Sequence, residues 1–270
     1  MRLIQHKAEA WWFYRVVSKV YDRWVNPLFW TPRMRDEALE LARLDAPGLR
    51  VLDAGAGTGF TTEGIVARVP AGQVVMVDQS PHQLARARRK PALAACEVRE
   101  GDAEDLPFGD DAFDRYVSAG SIEYWPDPQR GIAEAYRVVR EGGTALVVGP
   151  VRPAQALARR LADTWMLFPS EEEYRAWFAA AGFADVEVRR LAPDWYDEAS
   201  GAAYGVAVAG RKPAPGPSPL GLAPPAERLG EPMGLRRRLL FAGRFAVGSL
   251  AGLAFVPVAL LQTLRARRAR

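Results

Sequence analysis

Cysteine and histidine are almost absent from this 270-residue chain, which has one Cys, Cys96, and two His, His6 and His82. A single thiol excludes an internal disulfide and a thiolate metal cluster. Two imidazoles are too few for a His-built zinc site, so a reducing compartment and no metal are expected. Acidic residues are absent from the end of the chain: after Glu231 there are none, while eight Arg follow. The formal charge of +4 therefore divides, and residues 1–231 carry 28 basic against 32 acidic groups, a net of −4. A mildly acidic body excludes nucleic acid as the expected partner, and positive charge confined to a hydrophobic tail points to membrane lipid. The first ten residues, Met1 to Ala10, lack the apolar core of a secretory signal and are too short and acidic for an organelle transit peptide. A protein on the cytoplasmic side of a membrane is expected.

What remains is globular in composition, 49% apolar and 25% charged. Trp11, Trp12, Phe13, Tyr14, Tyr21 and Trp24 fall in a segment, residues 8–25, that suits an amphipathic helix, with Pro27 and Pro32 ending the pattern. From residue 36 the spacing alternates. It predicts helices over 36–44, 60–69, 81–90 and 128–140 between strands over 50–53, 73–78, 96–100, 113–118 and 144–149, which implies βαβ crossovers and a parallel sheet. Ser170 and Glu173 form a capping box for a further helix that stops at Gly182, and strands near 185–190 and 204–211 complete an edge. Residues 211–234 hold seven Pro and four Gly and read as a partly extended linker. Phe245–Leu264 is then 20 residues without a charge, long enough for a membrane-crossing helix.

The stretch Val51-Leu52-Asp53-Ala54-Gly55-Ala56-Gly57-Thr58-Gly59-Phe60 carries the chemistry. A strand ending at Asp53 turns through three glycines, which admit positive φ and close approach of a ligand, into a helix. A dinucleotide fingerprint needs a small residue where Phe60 stands, and no P-loop occurs. The spacing Asp53-x-Gly55-x-Gly57-x-Gly59 instead resembles the first motif of class I S-adenosylmethionine (SAM) methyltransferases. Asp78 and Gln79 end the second strand, where such a family binds the ribose. Asp102 and Ala103 end the third, where it binds adenine, and Ser118 opens the end of the fourth, which faces the methyl donor. The resemblance implies an α/β, Rossmann-like seven-stranded sheet with helices on both faces, SAM as cofactor, and a hydrophobic helix appended at the C-terminus. Ser118-Ala119-Gly120-Ser121 is unlike the Pro-Pro motif of enzymes that methylate exocyclic base amines.

Longer phrases resemble the enzymes that C-methylate 2-methyl-6-phytyl- and 2-methyl-6-solanesyl-benzoquinol: His6 to Arg15, Asp78-Gln79-Ser80-Pro81-His82-Gln83-Leu84, Ser118 to Gly131 and Trp165-Met166-Leu167-Phe168-Pro169. A prenylated quinol substrate follows from that resemblance, with demethylmenaquinol, a lipid head group, or SAM binding without catalysis as rival readings. Ring methylation needs a base near a phenol of pKa ~10. His82 and Glu123 are candidates, with Tyr124 as a hydrogen-bonding partner. The expected organisation is an aromatic lid over 1–35, a methyltransferase domain over 36–212, a linker over 213–235 and a membrane anchor over 236–270.

Overall fold

The computed structural model describes Lys7, Glu9, Pro257 and residues 29–196, 203–221 and 234–253. The aromatics of the expected N-terminal helix lie outside the described residues.

Short polar caps followed by proline set the helix starts. Thr31 accepts a hydrogen bond from the Met34 N–H ahead of α1 (Pro32–Glu40), Ser80 caps α3 (Pro81–Ala87), and Asp127 caps α4 (Pro128–Val138). Pro32 therefore begins a helix rather than ending one, because its missing N–H falls at the first turn, where no partner exists. Between α1 and α3 lie β1 (Val51–Ala54), α2 (Phe60–Val66) and β2 (Val74–Asp78). The chain continues through β3 (Glu97–Glu100) and β4 (Phe113–Ala119) to α4 and then β5 (Val139–Pro150). β5 starts earlier than the pattern predicts: Gly142 takes a positive φ of 74°, and a register shift against β4 absorbs the extra residues. Next come α5 (Ala156–Trp165) and α6 (Glu171–Ala181), the latter with the expected Ser170–Glu173 capping box and Gly182 at φ 99°. Strands β6 (Ala184–Leu191) and β7 (Gly205–Arg211) complete the sheet, and α7 (Leu235–Leu253) follows.

The seven strands run in the order β3-β2-β1-β4-β5-β7-β6. β1 to β5 are parallel to one another, and β7 is antiparallel to both β5 and β6, so the sheet is mixed. Two-residue periodicity sends alternate side chains to opposite faces. Leu52, Tyr116, Val147 and Val208 pack with α4 and α6, while Val51, Val117, Leu146 and Ala207 pack with α1 and α2. The strand order reverses between β1 and β4, where an open α/β sheet leaves a crevice at the carboxyl ends of its strands. Antiparallel pairing of Pro150 with Gly205, and of Gly205 with Leu191, brings the start of β7 and the end of β6 to the same edge.

Part of the expected linker is docked on this domain. Lys212 is fully buried, with its Nζ 2.7 Å from Asp111 Oδ1, 2.6 Å from the Gly216 carbonyl and over the Tyr136 ring. Ser218 donates to the Ala181 carbonyl at 2.8 Å. Proline and glycine contribute little core, but the Gly216 carbonyl serves the buried Lys212 ammonium.

The expectation of a membrane-associated protein with one C-terminal hydrophobic span and its catalytic domain on the cytoplasmic side is corrected. No helix among the described residues is long and apolar enough to cross a membrane. The physical reason is charge: α7 includes Arg236, Arg237, Arg238 and Arg244, and the uncharged run expected from Phe245 lies mostly outside the described residues. α7 packs instead against α5.

Candidate active site

At the carboxyl edge of the sheet lies a cavity of about 450 Å³, within the range of small-molecule sites. One half is built by the glycine turn after β1. The Gly55 and Ala56 N–H groups donate to the Val77 carbonyl at 2.8 and 3.0 Å, which draws the turn against β2. Gly55 has φ 72°, and a Cβ there would stand 2.1 Å from Ser121 Oγ, so only glycine fits between the ends of β1 and β4. Gly57, at φ 56°, lines the cavity with no atom within 4 Å of where a Cβ would be, which leaves a bare backbone cradle.

Asp78 faces this cradle from the end of β2. Its Oδ2 accepts the Gly57 N–H at 2.9 Å and its Oδ1 accepts the Ser80 N–H at 2.8 Å. Burial pushes the Asp78 carboxyl up to about 6, against the pull of those two donors. Gln79, Asp102 and Ala103 share the wall, as does Gln83, whose buried Oε1 has no partner among the described residues. Asp102 Oδ1 accepts the Glu104 N–H at 2.9 Å and Oδ2 accepts Lys7 Nζ.

The other half is aromatic and apolar. Phe29, Trp30, Trp165, Phe168, Trp195, Tyr196 and Tyr204 line it. Trp195 meets Tyr204 edge-to-face at 5.6 Å and Phe29 at 6.1 Å, and the Tyr204 hydroxyl donates to the Phe29 carbonyl at 3.0 Å. Between the halves, after β4, a short turn over Ile122–Tyr124 presents Glu123 and Tyr124 to the cavity. Glu123 Oε2 is buried with no hydrogen-bond partner among the described residues, and burial pushes this carboxyl up to about 7.

Gly55, Gly57, Asp78, Gln79, Asp102, Ala103, Glu123 and Tyr124 are thus brought together around one cavity. Asp53, Gly59, Ser118 and His82 do not line it. Asp53 lies behind the turn, where its Oδ2 accepts the Thr62 hydroxyl at 2.6 Å and ties β1 to α2. Gly59 abuts Leu93, and Ser118 is fully buried within β4. His82 is exposed, because α3 turns Gln83, Leu84 and Ala87 inward instead. The structure thus places His82 away from the cavity that Glu123 and Tyr124 line.

Phe29 and Trp30 fall in the expected lid over 1–35, whereas Lys7, Glu104, α5 and the aromatics at 195–204 carry little local sequence signal of a site. α5 has no side-chain cap to announce it, and ion pairing across 95 residues leaves no local signal. Aromatic density around Trp195-Tyr196 was the one available clue. Among the described residues, no group of three or more His, Cys, Asp or Glu is placed to hold a metal ion.

Four buried carboxyls have a raised affinity for protons: Asp53, Glu104 and Glu123 titrate near about 7 and Asp78 near about 6, with burial the leading cause in each. In the unfolded chain they ionise near ~4. The native state therefore binds more protons between those values, and stability falls as pH rises from about 4.5 to 7. In calorimetric scans without cofactor, Tm at pH 7.5 is expected to lie below Tm at pH 5.5 by at least about 2–4 °C. A flat profile would mean these carboxyls are ionised in the native protein.

A methyltransferase domain family matches residues 52–147. The chain is 54% identical to the chloroplastic 2-methyl-6-phytyl-1,4-hydroquinone methyltransferase of Arabidopsis thaliana, over 98% of this chain and 78% of that protein. It is 53% identical to methyltransferase 2 of the same name, also chloroplastic, from Oryza sativa subsp. japonica, over 98% of this chain and 76% of that protein. Among solved structures, the [4+2]-cyclase SpnF superposes with a TM-score of 0.62 at 21% identity, covering 78% of this chain and 97% of that one, a likeness of fold alone. The seven-stranded sheet, the bare glycine cradle beside Asp78 and this near-full-length similarity lead to one conclusion: the chain is a SAM-dependent methyltransferase and belongs to the 2-methyl-6-phytyl-1,4-hydroquinone methyltransferase family.

Proposed function

We propose that this chain methylates a ring carbon of a prenylated benzoquinol. The observation that carries the reading is one continuous cavity joining the glycine cradle and Asp78 to an aromatic half, with Glu123, whose Oε2 has no partner among the described residues, presented from the turn after β4. Gly55 and Gly57 give the cofactor backbone approach, the Asp78 carboxylate accepts from its ribose, and Asp102 and Ala103 receive its adenine edge. Gln83 Oε1, buried without a partner among the described residues, offers a further acceptor on that wall. When bound, SAM supplies a methyl group on a positively charged sulfur.

The residues of the chain do the rest by placement and proton handling. Phe29, Trp30, Trp195 and Tyr204 offer flat apolar faces to the quinol ring and its prenyl chain and exclude water. Glu123 Oε2 takes the phenol proton, so electron density moves to the ring carbon, which would accept the methyl group from bound SAM as the methyl–sulfur bond breaks. That carbon then loses its own proton as aromaticity returns and the oxygen regains one from Glu123, so one proton is released per turnover and the carboxylate is restored. A buried carboxylate is suited to this role, since its environment makes it a stronger base than an exposed one. Tyr124, buried beside it, hydrogen-bonds the second oxygen of the quinol.

In this reading residues 36–212 form the methyltransferase domain, 213–235 the connection and 236–270 a C-terminal hydrophobic segment, whose helix α7 lies on α5. The test is mass spectrometry of parallel reactions with methyl-labelled SAM and reduced 2-methyl-6-prenyl-benzoquinol, demethylmenaquinol or a phosphoethanolamine lipid. Label on the benzoquinol ring is expected. Label on either other acceptor instead would replace the substrate, and SAM binding with no transfer to any would replace the reaction.

A further inference from the structure

Four carboxylates face the cavity, Asp78, Asp102, Glu104 and Glu123, and among its described lining residues Lys7 is the single Lys or Arg. Lys7 Nζ bonds Asp102 Oδ2 and stands 3.3 Å from Glu104 Oε2. The Lys7 side chain is 7% exposed and that of Glu104 1% exposed, so the pairing takes place out of water. Glu104 is also a structural hub: its Oε1 accepts the Asp127 N–H at 2.6 Å and its carbonyl accepts Arg130 Nε at 2.8 Å. The carboxylate that Lys7 neutralises therefore also steadies the chain leading from Tyr124 into α4. Two residues beyond Lys7, Glu9 is fully buried and paired with Arg244 of α7. One short piece of chain is thus fixed by two buried ion pairs, one to the cofactor half of the cavity and one to the C-terminal helix.

We propose that Lys7 is a positioning residue for the cofactor, holding Asp102 and Glu104 together at the end of β3 and itself held there by the Glu9–Arg244 pair. The physical need is clear from the charges. Two carboxylates brought together out of water repel, and without an ammonium between them one must turn away or take up a proton. Either response moves the Asp102 edge of the site. Arg244, on α7, then influences cofactor affinity through Glu9 and Lys7. The inference rests on the reading of the glycine-turn half as the SAM site.

The experiment measures SAM affinity by titration calorimetry, and KM for SAM and kcat in the transfer assay, on full chains. Lys7→Gln is expected to raise Kd and KM for SAM about tenfold or more, the value of a lost charge-assisted bond, with kcat moving less. Lys7→Arg restores most of the affinity. Glu9→Gln shifts Kd in the same direction, and the Lys7→Gln/Glu9→Gln pair weakens binding by less than the product of the single effects, because both act through one ammonium. If Lys7→Gln does not fold, Lys7→Arg and Glu9→Gln carry the test. Unchanged or tighter SAM binding in Lys7→Gln and Glu9→Gln, with the unaltered chain binding normally, overturns the role of Lys7. Failure of the unaltered chain to bind SAM overturns the cofactor-site reading, and this inference with it.

Discussion

Glu123→Gln turns over about 10² to 10⁴ times more slowly than the unaltered chain, the range expected when a positioned base is lost. The amide keeps the shape of the side chain but cannot take a proton from the quinol. Glu123 Oε2 is buried without a partner, so no donor among the described residues competes with the substrate for it. Burial also holds this carboxyl near about 7. A base acts in its ionised form, so kcat/KM should rise tenfold per pH unit below that value and level off above it. In Glu123→Gln that rising limb disappears. Steady-state rates from pH 5.5 to 8.5 on both proteins decide the matter. A variant that retains the full rate and the same profile would remove Glu123 from the chemistry and leave substrate ionisation in solution as the source of the nucleophile.

The second large effect belongs to Asp78. Asp78→Ala is expected to raise Kd for SAM roughly 10- to 150-fold, the equivalent of losing about 1.5–3 kcal/mol of charge-assisted hydrogen bonding. The carboxylate has a double duty that places the effect toward the upper end. It accepts the Gly57 N–H at 2.9 Å and the Ser80 N–H at 2.8 Å, so its removal also releases the cradle and the cap of α3. Asp78→Asn should not rescue binding, since an amide presents a donor to one of those N–H groups. Calorimetric titration with SAM measures both variants, and affinity equal to the unaltered protein would show that the ribose is held elsewhere.

The parts of this molecule legible in the sequence are those whose physics is local. Ser170, Glu173 and Gly182 announce α6 because cap, box and left-handed stop involve residues within one turn of each other. The glycine turn is legible for the same reason, since positive φ at Gly55, Gly57 and Gly59 is a property of each residue itself. Asp78 could be placed because it ends the short apolar strand β2, and Asp102 because it follows β3 in the motif order of the family resembled. Misreadings arose where a residue has two local meanings. Pro32 looked like a stop and is a start, because Thr31 ahead of it supplies the cap. His82 has the right chemistry for a base, but the helical phase of α3 leaves it exposed. The charge-free run from Phe245 read as a span, while the helix among the described residues starts ten residues earlier, at Leu235, and takes in four arginines.

Fold class, cofactor class and the half of the site built on β1, β2 and β3 were therefore determined by the sequence alone, because turns, caps and alternation act over a few residues. The tertiary structure decided the rest. It placed Trp195 and Tyr204 against Phe29, set Glu123 between two half-sites, and joined Lys7 to Asp102 and Glu9 to Arg244. The aromatic contacts depend on an antiparallel β7 returning Gly205 and Leu191 to the edge where β1 and β4 end. Their partners are far apart in the chain, and only burial of both faces of the sheet brings them together.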